Sequence, residues 1–98
     1  MVTRVQEAAA ERVAALLKLA ANPTRLLILQ VIRERKGAYV QEIADELQMS
    51  QSAVSHQLSI LADADVVSFK KEGRDVRYAM SKKRPAYKLG KVLRALAG

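Results

Sequence analysis

The stretch "EIADELQMSQSAVSHQLSIL", Glu42 to Leu61, constrains this chain more than any other. Ile43, Ala44 and Leu47 share one face of a short helix. Val54, Leu58 and Leu61 then recur four and three residues apart, the buried stripe of a second helix. Only Gln48 to Ser50 separate the two, so the chain must turn tightly, and Ser50 is suited to cap the second helix. That second helix presents Gln51, Ser52, Ser55, His56 and Ser59 on its other side. Its outward face is polar, small and free of lysine and arginine.

The flanking residues supply further elements. From about Thr3 to Ala20, Val5, Ala9, Val13, Leu16, Leu17 and Ala20 repeat with a helical period. In "ANPTRLLILQVIRERKG", Asn22 fits an N-cap, Pro23 the first helical position and Gly37 the site just past the end. Arg33, Arg35 and Lys36 lie in the last turn, where the helix dipole favours cations. "YVQEIADELQM" is expected as a third helix. The period then changes to two: Val67 and Phe69, then Val76, Tyr78 and Met80, alternate with polar residues about a turn at Gly73. A last helix, roughly Pro85 to Ala97, carries Leu89, Val92, Leu93 and Leu96 on one side and Lys88, Lys91 and Arg94 on the other. The expected order is α-α-α-α-β-β-α. It describes one mainly helical α+β domain over residues 1–98, with an aliphatic core and no repeats or linkers.

Charge is unevenly placed. Residues 1–75 hold ten basic and ten acidic side chains, whereas residues 76–98 hold seven basic and no acidic ones, which accounts for the net +7. Between Gly37 and Phe69 there are only acids: Glu42, Asp45, Glu46, Asp63 and Asp65. The total suits a polyanionic partner, and a binding face must bring the late cations beside the uncharged helix. The chain has no cysteine and one histidine, so disulfides and thiolate sites are excluded, and no nucleophile has a base and an orienting group. An enzyme is not expected. Arg4, Glu7, Glu11, Arg12 and Lys18 make the N-terminal stretch unlike a signal peptide or a membrane span, so a cytoplasmic location with no membrane partner is expected.

Two short helices about a tight break, the second polar outward, constitute a helix-turn-helix signal over residues 40–62, and the basic hairpin at 66–81 fits a wing. The chain resembles the ArsR/SmtB family of transcriptional repressors. The resemblance rests on "NPTRLLIL", "EIADEL", "SQSAVSHQLSIL" and "ADADVVSFKKEGRDVRYAMS", about residues 15 to 81. Asp65 stands where the family usually has glycine, a position Asp can fill because it tolerates left-handed backbone better than most residues. The resemblance implies a winged helix-turn-helix homodimer on double-stranded DNA with two-fold symmetry. It further implies that helices at 1–21 and 85–97 pair the subunits through Val5, Ala9, Val13, Leu16, Leu89, Val92, Leu93 and Leu96. Gln51, Ser52, Ser55, His56 and Gln57 are candidate base-reading residues, since they hydrogen-bond base edges without charge. Ser50, Lys70, Lys71, Arg74, Arg77, Lys82, Lys83 and Arg84 are candidate backbone contacts, with Arg74 beside the turn glycine.

No cofactor or metal is expected. Family members with a thiol site carry cysteines where this chain has Tyr39 and Gln41, and the last helix lacks the Asp, His and Glu of the family's other site. An effector is not identified: a small molecule or protein, control by abundance alone, and a nonresponsive repressor all stay open. Two other functions remain beside the repressor: a winged-helix module for protein association, and a nonspecific chromatin-like DNA protein relying on the basic tail.

Overall fold

The computed structural model describes residues 1–96, and the side chains of all of these except Arg84, Lys88, Val92, Ala95 and Leu96. The elements run α1 (Arg4–Ala20), α2 (Pro23–Arg35), β1 (Ala38–Tyr39), α3 (Val40–Leu47), α4 (Gln51–Asp63), β2 (Val67–Glu72), β3 (Asp75–Met80) and α5 (Arg84–Leu96). Each helix start is chemically marked. Thr3 and Gln6 form a reciprocal capping box at α1, the Asn22 side chain accepts from the Arg25 amide at 3.1 Å, and Ser50 Oγ accepts from the Ala53 amide at 3.1 Å. Pro23 sits in the first turn of α2. The chain bends by 89° between α1 and α2.

The break between α3 and α4 is made by Gln48 in the left-handed region, φ 53°, with the Met49 amide donating back to the Ala44 carbonyl at 2.9 Å. Asp65 adopts φ 59° after α4, so it takes the backbone conformation expected of the glycine it replaces. Lys36 (φ 56°) and Gly37 (φ 121°) end α2. At Gly37 the φ disfavours any side chain, and a Cβ would also press on the movable end of Arg77.

One strand was not foreseen. Ala38 and Tyr39 pair antiparallel with Tyr78 and Arg77, making a three-stranded sheet in the order β1-β3-β2 instead of a lone hairpin. Tyr39 therefore precedes α3, and Glu42 Oε1 accepts from its amide at 2.9 Å. In the hairpin Val67 enters the core, whereas Phe69 is 63% exposed and leans on its cross-strand partner Tyr78, ring centroids 5.6 Å apart.

The core joins Ile28, Leu29 and Ile32 of α2 to Ile43, Val54, Leu58 and Leu61 of the helix pair and to Val66 at the root of the wing. Leu89 and Leu93 of α5 belong to the same cluster, 2% and 0% exposed. This corrects the expectation that they pair subunits: α5 turns them onto its own protomer, where they cover α2. Val92 and Leu96, expected at the same interface, lie outside the described side chains. The first helix behaves oppositely. Val5, Val13 and Leu17 are 77%, 41% and 57% exposed, while Leu16 packs against the core and Ala9 is half-buried. The projecting α1 stretches the molecule to 52 × 30 × 21 Å. The resulting radius of gyration is 14.4 Å, against about 13 Å for a compact chain of this length.

Candidate nucleic-acid interface

On α4, Gln51, Ser52 and His56 are exposed and Ser55 is half-buried at the helix surface. Ser50 is exposed and also caps the helix, with its Oγ 3.3 Å from that of Ser52. The wing tip carries Lys70, Lys71 and Arg74, all exposed. A cleft of about 480 Å³ between helix and wing is lined by Gln51 and Ser55 of α4 and Arg74 of the wing, with the carboxylates of Glu42, Asp45 and Asp75 also in its lining. An uncharged hydrogen-bonding helix face thus lies beside the Arg74 guanidinium, which forms no ion pair among the described residues.

Three candidates are held otherwise. Gln57 is half-buried, and its Oε1 accepts from Arg25 Nε at 2.9 Å, so its amide oxygen is committed to α2 and not to a base. Arg77 is half-buried and donates to the Lys36 carbonyl at 2.9 Å, bracing the end of α2 against the sheet instead of reaching a phosphate. Lys83 is paired with Asp65 at 3.1 Å; both are largely exposed, and the pair is open to exchange with solvent or a phosphate. Lys82 is exposed. The Arg84 side chain lies outside the described residues.

Acids near this face are partly neutralised. Arg35 donates to Glu42 and Glu46 of α3, each at 3.1 Å, tying α2 to the helix pair while offsetting one of their two negative charges. The Tyr39 hydroxyl donates to Glu72 of β2 at 2.5 Å. That bond, with the negative charge of Glu72, holds the Tyr39 phenol above its ordinary pKa.

Arg25, Arg35 and Tyr39 were missed as parts of this site. Arg25 Nε–H binds Gln57, and its Nη1 donates to the Leu19 carbonyl at 3.2 Å, so one side chain bridges the end of α1 to the outward helix. Its place in "NPTR", one turn after a capped start, is local information, whereas the partner lies 32 residues away.

A helix-turn-helix whose second helix is flanked by a basic three-stranded wing defines a winged-helix transcriptional regulator that binds DNA. Residues 22–68 match the model for bacterial regulatory proteins of the arsR family. An uncharacterised HTH-type transcriptional regulator of Methanocaldococcus jannaschii is 41% identical over 63 residues, 64% of this chain and 71% of that one. The chain belongs to the arsR family. Reduced HlyU of Vibrio cholerae superposes with a TM-score of 0.83 at 29% identity, covering 95% of this chain and 97% of that one. The homodimeric winged helix-turn-helix domain of a Mycobacterium bovis protein gives a TM-score of 0.77 at 25% identity, covering 99% and 88%. Several other curated relatives are matched over only 48 to 59% of their length.

Proposed function

We propose that the chain is a cytoplasmic repressor that grips a two-fold symmetric operator as a homodimer, its α4 helices in successive major grooves about one helical turn apart. The observation that carries this reading is the cleft in which Gln51 and Ser55 of α4 face Arg74 of the wing. Gln51, Ser52, Ser55 and His56 discriminate base edges, and Lys70, Lys71, Arg74 and Lys82 contact the sugar-phosphate backbone. The exposed apolar side of α1, Val5, Val13 and Leu17, supports pairing of two copies, as does the homodimeric state of the Mycobacterium bovis domain.

The test is selection of bound fragments from a random duplex pool, followed by titration of the winner and a scrambled duplex across a salt series. The expected winner is a palindrome. Eight phosphate contacts from Lys70, Lys71, Arg74 and Lys82 of two protomers give a slope of log K against log salt of about −7. Gln51→Ala is expected to relax preference at particular base pairs while leaving that slope unchanged. Equal affinity for both duplexes identifies a nonspecific DNA protein, and no binding near physiological salt identifies a protein-association module; either outcome rejects the proposal.

A further inference from the structure

A second cleft opens at the root of the wing, between the end of α2, the end of β3 and the exposed side of α5. Its volume is about 500 Å³, within the range that holds small organic ligands, and it shares no lining residue with the cleft beside α4. Four cations line it: Arg33 from the last turn of α2, Lys82 from the joint after β3, and Lys91 and Arg94 from α5. No acid lines it, and among the described residues none of the four forms an ion pair. The sequence has no acid beyond Asp75 to supply one. Between the cations lie apolar surfaces, Met80 and the ring of Tyr87, the latter 71% exposed with Lys91 Nζ 5.8 Å from its centroid.

Gly90 forms part of the floor. It sits inside α5, where glycine is costly to a helix, and a Cβ built there meets nothing within 4 Å. The space above it is open.

We infer that this cleft binds an amphipathic organic anion: a carboxylate, sulfonate or phosphate attached to an aryl or acyl body. A fully hydrated inorganic anion would leave the Tyr87 and Met80 surface unused, and an uncharged apolar molecule would leave four cations uncompensated. The charged head lies among Arg33, Lys82, Lys91 and Arg94, and the apolar body lies over Gly90 against Tyr87 and Met80. Because only Ser81, Lys82 and Lys83 join β3 to α5, an occupant that bridges these elements also fixes the angle of the wing root.

The test uses 8-anilinonaphthalene-1-sulfonate as the probe and N-phenyl-1-naphthylamine, the same body without the sulfonate, as its control, each titrated into the full chain by fluorescence. One sulfonate probe per chain is expected, with the uncharged analogue binding at least tenfold more weakly. The double variant Lys91→Gln/Arg94→Gln is expected to weaken the sulfonate probe about tenfold or more. Gly90→Leu is expected to abolish its binding while far-ultraviolet circular dichroism stays unchanged, since the new side chain enters open space and favours the helix. Equal binding of the two dyes, or indifference to Gly90→Leu, overturns the proposal by placing the dye on an apolar surface such as α1. Displacement of the dye by a short scrambled duplex that persists in Lys82→Gln also overturns it, assigning Arg33, Lys91 and Arg94 to the nucleic-acid backbone.

Discussion

Several residues near the wing act on the protein itself before they act on any partner. The Tyr39 phenol donates to Glu72 and is harder to ionise than a free phenol. Its folded pKa lies above its unfolded value, so the protonated form favours the fold. The contribution is complete below about pH 10 and is lost as pH rises through the higher folded value. Absorbance titration of phenolate is expected to show a component above the ordinary range that disappears in Tyr39→Phe and moves down in Glu72→Gln. A Glu72→Gln titration identical to wild type would remove the hydrogen bond as the cause. Gly37 is a second case. Alanine there must adopt a φ of 121° and displace the Arg77 guanidinium, so Gly37→Ala is expected to lower stability in urea unfolding by about 1–3 kcal/mol. Unchanged stability would mean that alanine is tolerated at this φ and that the Arg77 guanidinium yields without cost.

At the scale of elements, the wing divides its cations between two tasks. Arg74 is exposed at the tip, whereas Arg77 is spent on the Lys36 carbonyl. Arg74→Ala is expected to leave stability within about 0.5 kcal/mol of wild type and to reduce the salt slope of dimer binding by about 2. Arg77→Ala is expected to do the reverse, costing about 1 kcal/mol in urea unfolding while the slope hardly moves. If both variants change only the slope, the bracing role of Arg77 is wrong. The helices were legible in the sequence because their ends are written in local chemistry: Asn22 before Pro23, Ser50 before Gln51, Gly37 past the end of α2. The hairpin was legible from its alternation about Gly73. Strand β1 was not, since two residues carry no period, and its existence depends on β3 lying nearby. The hydrogen bonds of Gln57 and Arg77 were not legible for the same reason, because their partners are distant in sequence, 32 and 41 residues away. Leu89 and Leu93 show the limit of an apolar stripe. It signals that a face is covered, and it is silent on whether the cover belongs to the same chain.

The whole molecule has one end closed and one open. Helix α5 seals the core with Leu89 and Leu93, while α1 extends outward with Val5, Val13 and Leu17 uncovered. Burying such a stripe against a copy of itself offers about 1.5–3 kcal/mol for each large side chain removed from water. Leu17→Glu is therefore expected to shift sedimentation from dimer to monomer and to weaken operator binding at least tenfold, with helical content retained. A Leu17→Glu protein that stays dimeric would place the subunit contact elsewhere. The fork made by Arg25 gives this arrangement a mechanical meaning. One guanidinium grips the Leu19 carbonyl at the end of α1 and the Gln57 amide on α4, across an 89° bend in the chain. It is a direct tie between the exposed apolar arm and the helix beside the wing, so Arg25→Ala is expected to loosen the one from the other.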